Sequence, residues 1–430
     1  MTDVSRDPSV GTFRSVGLPA LDFEDFHRHE LPRRLRGGVD EQIAWDVADV
    51  APVALVLAPS GGDPGRTTAA AFSYVPQGNR VEIVSGVVAD AELVLEIEAE
   101  AWQDYVHELR TRIGLLYSGA VRFRRGDYDA WDAWEPALRC LYSGTPIYDP
   151  ANPGLVGLDG SDLDLHRKFR LDDDPQELAH YLRTAGYLVV ADVFDADYTE
   201  QLSCETDRLR SQASEGGLYS WWTEDAKRGE RYPFHLHYMG LQSEPVRSLE
   251  DHEAVRFLVG LSGGKLRPVQ DRDTGTHAIL KEYAADGEMS SFANLPWHKD
   301  CGLGGCPITC PRIHVGVQLD AANADSSQLF MLAGSAGRVC HEPSTPDEWD
   351  RLPIVGLETE PGDATVHRGC GLHAGPRPTG PNRRRTIYAR FDNPRVFEVT
   401  EPFESYDQVI PGYGAGTLPS VEELKAMSYA

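Results

Sequence analysis

From residue 265 onward the chain is built of short apolar runs separated by glycine, proline, asparagine and aspartate. HAILKEYA, IHVGVQLDA, SQLFMLAG, DATVHRG and RTIYARF are the clearest. Many short strands punctuated by turns predict an all-β sandwich or barrel for this half. Ahead of it, PQELAHYLRTAG (175–186) predicts a helix, YLVVADVF (187–194) a strand and DADYTEQLSCETDRLRSQA (195–213) another helix.

The first third reads differently. VALVLA (53–58), RVEIVSG (80–86) and AELVLEIEAE (91–100) read as strands. Residues 99–116 carry apolar side chains at helical spacing, and 120–142 read as a short strand, a Gly-Asp turn and a helix. A chain of 430 residues suits two domains better than one core. The predicted organisation is an extension (1–40), an α+β domain (41–150), a proline- and glycine-rich linker (151–170), a second domain (171–400) and a polar tail (401–430). The fold class is α+β.

Net charge is −26, from 67 acidic against 41 basic residues. Such a surface repels phosphate backbones and anionic membranes, which argues against a nucleic-acid partner. The amino terminus lacks a basic segment followed by an apolar one, and no run of about 18 apolar residues occurs, so neither secretion nor membrane insertion is expected. Seven cysteines, a low and odd count, suit a reduced, cytoplasmic protein.

The chemistry is carried by LPWHKDCG (295–302). On a strand or its end, residues i and i+2 project to one side, so His298 and Asp300 share a face and Lys299 points away. An imidazole and a carboxylate, completed by a second histidine, make the two-His-one-carboxylate triad of non-haem Fe(II) oxygenases, which leaves positions open on the metal. Farther on, GDATVHRGCGLHAGPRPTGPNRRRTIYARF (362–391) offers a Gly-Asp turn, His373, and Arg384 eleven residues after it.

With those residues in place, the region from about 171 to 395 resembles the phytanoyl-CoA dioxygenase family of Fe(II)/2-oxoglutarate enzymes. YLRTAGYLVVADVF looks like the family's opening, and LDAANADSSQLFMLAGSAG (319–337) lies over its middle stretch without a gap. The resemblance implies a double-stranded β-helix (jelly-roll, cupin-like) core with flanking helices. It implies that His298, Asp300 and His373 bind Fe(II), and that Arg384 pairs with the distal carboxylate of 2-oxoglutarate. Thr386, on the same strand face as Arg384, reaches the same end, and Lys281 and Tyr283 stand where family members place a polar group on 2-oxoglutarate. The implied reaction consumes O2 and 2-oxoglutarate, releases succinate and CO2, and oxidises an unactivated C–H bond, most simply by hydroxylation. The implied substrate is a small, apolar metabolite or natural-product intermediate. The family's "PGSH" is Ala333-Gly334-Ser335-Ala336 here, its "HgS" is His373-Ala374-Gly375, and its "NG" turn is Ser326-Ser327. None of these departures removes an iron ligand. The presence of Asp300 favours hydroxylation over halogenation.

Each assignment has a rival. His367 competes with His373 as the distal ligand, at a shorter distance from the Gly-Asp turn. Arg385 competes with Arg384 but belongs on the opposite strand face, and Arg383 reads as solvated. Trp297, Trp221 and Trp222, with His235-Leu236-His237, are candidate pocket walls, against a plainer reading as core. Cys301, Cys306 and Cys310 lack compact zinc spacing and read as small thiols in a loop at the mouth of the site. Residues 80–139, with Ala89-Asp90 and Gly126-Asp127, resemble a sterol-carrier-protein-2-type domain, which implies either an apolar tunnel or a structural cover. The alternative functions are a non-catalytic lipid-binding protein with a relict barrel and a zinc-dependent hydrolase. Intact His298, Asp300, His373 and Arg384 argue against the first. The absence of a placed nucleophile argues against the second.

Overall fold

The computed structural model describes residues 18–58, 70–110, 112–117, 119–225, 230–282, 295–300, 310–343, 345–399 and 402–403. Among these residues the chain is a mixed α/β protein with three sheets and two large, separate apolar cores.

The first sheet comprises β1 (Val53–Leu57), β2 (Ala71–Gln77), β3 (Arg80–Ser85), β4 (Leu93–Ile97) and β5 (Val121–Arg125), in the order β3-β2-β1-β4-β5. Alternation sorts its central strand. Val53, Leu55 and Leu57 join the large core, while Ala54 and Val56 meet Ala91 and Val94 on the other face. Helices α1 (Ala99–Val106) and α2 (Tyr128–Ser143) bring Trp102, Trp131 and Trp134 onto the first face. The helix expected over 99–116 is broken. Glu108 takes a positive φ of 56°, Leu109 N–H bonds back to Asp104 O, and a new helix starts at Arg112. The extension expected before residue 41 is also corrected. Residues 23–46 are helical, and Phe23, Phe26, Leu31 and Ile43 bury themselves in the same core.

The segment expected to be a linker, 151–170, is strapped down by hydrogen bonds: the Tyr181 hydroxyl donates to Asp164 O at 3.0 Å and the Tyr187 hydroxyl to Leu165 O at 2.8 Å. It leads to β6 (Lys168–Phe169), helix α3 (Pro175–Ala185), β7 (Tyr187–Val190) and helix α4 (Ala196–Gln212). Asp174 and Asp195 cap the two helices by accepting from backbone N–H groups of their first turns, and Gly186 closes the first with a φ of +94°.

Then follow β8 (Ser220–Asp225), β9 (Glu230–Leu236), helix α5 (Glu253–Gly260), β10 (Arg267–Pro268), β11 (His277–Lys281), β12 (Leu295–His298), β13 (Ile313–Gln318), β14 (Leu329–Leu332), β15 (Ile354–Leu357), β16 (Ala364–Arg368), β17 (His373–Gly375) and β18 (Arg384–Asp392). The larger sheet runs β6-β7-β16-β13-β18-β11-β9-β8, with β10 on β18. The smaller runs β12-β17-β14-β15. On the outer face of the larger sheet, Leu236, Ala278, Leu280, Val315, Val317, Ala364, Val366, Ile387 and Ala389 form one core with residues of α3, α4 and α5. The inner face is polar: His277, His314, Gln318, Thr365, His367, Thr386 and Tyr388 alternate with those apolar residues.

Candidate metal centre

Two strand ends converge at the centre. His298 closes β12 and pairs with His373, the first residue of β17. One ligand atom from each of His298, Asp300 and His373 lies within 4.8 Å of the others. His298 Nε2 is 3.8 Å and His373 Nε2 3.6 Å from Asp300 Oδ1. The other carboxylate oxygen faces the larger sheet, where His314 Nε2 is 3.3 Å and His367 Nε2 3.2 Å from Oδ2. The rival histidines therefore sort themselves. His373 groups with His298, while His367 groups with a residue the sequence did not single out, His314.

Asp300 is fixed through its backbone as well. Its N–H donates to Gly369 O at 2.8 Å, and its carbonyl accepts from Arg312 Nη1 at 2.6 Å. Arg312 is in turn forked onto Asp392, at 2.6 and 2.9 Å, with both side chains almost wholly buried. A Cβ at Gly369 would come within 2.6 Å of Arg312 Cδ, so a bare backbone is needed there. Lys299 points away from the centre, as expected, and donates to Arg338 O.

The Gly-Asp turn has a structural task. Gly362 takes a φ of +91°, and a Cβ there would come within 2.6 Å of Phe194 O. Asp363 accepts from Asp192 N–H at 3.0 Å and Glu360 N–H at 2.9 Å, pinning the entry to β16.

Burial opposes the ionisation of Asp300. The imidazoles of His373 and His314 and the His367 hydrogen bond outweigh it, and the carboxyl is held well below its usual range. Burial also pushes His235, His314 and His367 below the ordinary imidazole value, His277 to about 4 and His237 to about 3. Burial thus disfavours the protonated form of each ring. Two imidazoles and an already ionised carboxylate, gathered this closely, fit a divalent iron.

A second polar subsite lies along the same inner face. Lys281 and Arg384 are cross-strand partners, and both side chains are buried. Lys281 Nζ donates to Gly375 O and Arg384 Nη1 to Ser327 O, each at 2.5 Å. Burial, and then Arg384, lowers Lys281 well below the ordinary ammonium value. Among the described residues no carboxylate forms an ion pair with Arg384 within 4 Å, and its Nε has no hydrogen-bond partner. Thr386 donates to Gln318 Oε1 at 2.9 Å. Arg385 projects to the other face, forked onto Asp320, and Arg383 is half-exposed beside Asp207.

The tryptophans separate. Trp297 packs on Trp349, 5.0 Å between centroids, in an apolar cluster with Leu372 and Ala374. That is the face of β12 and β17 turned away from His298 and His373. Trp221 packs edge-on against His235 and His237, at 4.9 and 4.3 Å. Trp222 turns aside to donate to the Ser220 hydroxyl at 2.9 Å. Tyr283, Cys301 and Cys306 lie outside the described residues, and the Cys310 carbonyl accepts from Asn393.

The phytanoyl-CoA dioxygenase (PhyH) family model matches residues 182–386. No curated protein matches the chain. Among solved structures, AviO1 from Streptomyces viridochromogenes Tue57 is similar at 20% identity and a TM-score of 0.42, over 53% of this chain and 98% of that one. The epimerase SnoN, in complex with Fe3+, alpha-ketoglutarate and nogalamycin RO, is similar at 20% identity and 0.39, over 51% and 83%. EctD from S. alaskensis, with 2-oxoglutarate and 5-hydroxyectoine, is similar at 17% identity and 0.43, over 64% and 91%.

Proposed function

We propose that this chain, which the phytanoyl-CoA dioxygenase (PhyH) family model matches over residues 182–386, depends on Fe(II), 2-oxoglutarate and O2 and hydroxylates a C–H bond of a small molecule at a site built by His298, Asp300 and His373. The observation that carries the reading is the gathering of those three ligand atoms within 4.8 Å, on the inner side of two facing sheets. Those sheets are read as the two halves of a jelly roll.

Two imidazoles and one carboxylate oxygen hold the iron and leave positions open for co-substrate and O2. The bound metal and 2-oxoglutarate supply the oxidising chemistry, with release of succinate and CO2. Arg384 orients the distal carboxylate of 2-oxoglutarate, because a planar guanidinium holds a carboxylate in two parallel bonds and stays charged when buried. Lys281, directly across the strand pair, adds charge at the same end, and Thr386 positions Gln318 beside it.

The substrate has its own end of the face. Trp221, His235 and His237 continue the inner surface away from Arg384, and the Nε2 atoms of His235 and His237 have no partner among the described residues. Buried polar atoms without partners favour a ligand that brings donors. The proposed substrate is therefore a small molecule with hydroxyl or amino groups, in place of the apolar one expected from sequence. The amino-terminal sheet is read as a structural cover, since its core is filled by its own tryptophans.

The test is anaerobic addition of Fe(II) and 2-oxoglutarate. A weak visible charge-transfer band is expected, lost in His298→Ala, followed by succinate on admission of O2. No band and no succinate from the wild-type chain would sink the reading.

A further inference from the structure

We propose that His367, with His314 stacked on it, is a positioning residue for the metal: it holds Asp300 Oδ2 so that Oδ1 alone turns toward the iron. This rests on the reading of His298, Asp300 and His373 as iron ligands.

The two oxygens of Asp300 face different partners. Oδ1 lies between His298 and His373, and Oδ2 points at the larger sheet. His367 Nε2 makes a hydrogen bond to Oδ2 at 3.2 Å. Its other ring nitrogen, Nδ1, is buried and meets no partner among the described residues. A neutral imidazole carries one N–H, and here only Nε2 has an acceptor for it. His314 lies opposite His367 in the β13–β16 register. The rings stack 4.8 Å apart, with their planes within 10°. A parallel neighbour hinders the His367 ring from tilting out of its plane, which keeps Nε2 level with the carboxylate.

A carboxylate free to rotate can take a metal through both oxygens, which uses up a position that co-substrate or O2 needs. With Oδ2 engaged by His367, and the Asp300 backbone held by Gly369 O and Arg312, one oxygen is left for the metal. Groups that orient a ligand in this way are worth about 10- to 100-fold in metal affinity.

The atoms facing Oδ2 also admit a different occupant. His314 Nε2, His367 Nε2 and Oδ2 lie within 4.8 Å of one another, and His314 Nε2 makes no hydrogen bond among the described residues. A second cation there would share one carboxylate with the first. It would sit between β13 and β16, where His314 pairs with His367, with Arg312 bonded to the backbone carbonyl of the same aspartate. Two dications sharing a single carboxylate repel one another, so the hydrogen-bonded arrangement is favoured.

The experiment measures Fe(II) affinity anaerobically by competition with a chromophoric chelator, together with metal content per chain. Wild type is expected to bind one iron. His367→Ala is expected to bind it about 10- to 100-fold more weakly, and His367→Gln, which keeps an N–H donor, to recover most of the loss. His314→Phe retains a stacking ring and is expected to stay near wild type, while His314→Ala falls between. The position of the 2-oxoglutarate charge-transfer band should move in His367→Ala and return in His367→Gln, which a general loss of packing would not produce. Two irons per wild-type chain, or unchanged affinity in His367→Ala, overturns the proposal. If His367→Ala does not fold, the His314→Ala and His314→Phe pair decides, with equal affinities counting against it. A wild-type chain that binds no iron removes the functional reading itself, and this proposal with it.

Discussion

Behind β1 of the amino-terminal sheet the buried side chains are Leu55, Trp102, Trp131 and Trp134. Behind β11 and β13 of the larger sheet they are His277, His314 and Lys281. Both layers exclude water. Most polar groups in the first are joined to one another: His27 bonds Phe23 O at 2.6 Å and the Tyr74 hydroxyl at 2.8 Å, and Tyr74 meets the Tyr142 hydroxyl at 2.6 Å, while Trp102 Nε1 is left without a partner among the described residues. On the second face, Nε2 of His235, His237 and His314 and Nε of Arg384 lack partners among the described residues. Burying a polar atom without a partner costs about 1–3 kcal/mol. The first layer is thus arranged for stability. The second carries a cost that a ligand can relieve.

The largest effect expected from this contrast is at the centre itself. Alanine at His298, Asp300 or His373 should abolish the charge-transfer band and succinate formation, with iron affinity reduced by at least about 100-fold, the upper end of what losing even a ligand's partner costs. Thermal stability of the metal-free protein should scarcely change in His298→Ala and His373→Ala, which leave the hydrogen bond between His367 and Asp300 in place. A cooperative loss of fold in these variants would mean that the inner face stabilises the chain after all. Next comes the opposite case: Leu55→Ala should cost about 2–5 kcal/mol in denaturant unfolding. The fraction that remains folded should bind iron with wild-type affinity. A parallel fall in iron affinity would show that the two layers are not independent.

How far each layer was legible in the sequence follows from the same contrast. The strand 53–57 was visible as a short unbroken apolar run, and the strand 80–85 and the helices 175–185 and 196–212 because one apolar face repeats with one period. The helical run 23–46 was not, since Pro32, Gly37 and Gly38 stand inside it and its apolar residues are spaced by the core they meet. His298, Asp300, His373 and Arg384 could be picked out by short spacings along one strand or by a turn. Arg312, Asp392 and His314 could not. They reach the centre through cross-strand register, a property of pairing between segments far apart in the chain. One signal was present: His314, Gly316 and Gln318 alternate with Ile313, Val315 and Val317, a strand whose polar side is buried.

The buried imidazoles set a pH dependence that both layers share. Burial lowers His27 and His277 to about 4 and His237 to about 3, below an unfolded value near 6.5. Between those limits the unfolded chain binds more protons. Stability is therefore complete above pH 6.5 and is lost as pH falls through the folded values. Each ring contributes a slope of at most about 1.4 kcal/mol per pH unit. Asp104 opposes this, because burial raises it to about 6 and the folded chain then gains protons as pH falls past that point. Urea midpoints for the metal-free protein should still drop steeply from pH 6.5 to 4. A flat profile would mean that these rings are hydrated, and that the two layers differ less than their contacts indicate.

The smallest expected effect separates two adjacent residues on one strand. Arg384 faces inward and finds no carboxylate among the described residues, whereas Arg385 faces outward and is forked onto Asp320 at 2.8 and 2.9 Å. Arg384→Gln should weaken 2-oxoglutarate binding by about tenfold, or about 1.4 kcal/mol, with little change in stability. Arg385→Gln should leave 2-oxoglutarate binding unchanged and cost stability. The loss should stay near the low end for a buried pair, about 1–2 kcal/mol, because Asp320 keeps some contact with water. Binding would be read from the charge-transfer band and stability from denaturant unfolding. If both variants lost binding equally, the strand would be acting through its backbone position, and the division into an inner face for ligands and an outer face for packing would fail at β18, where it is drawn most finely.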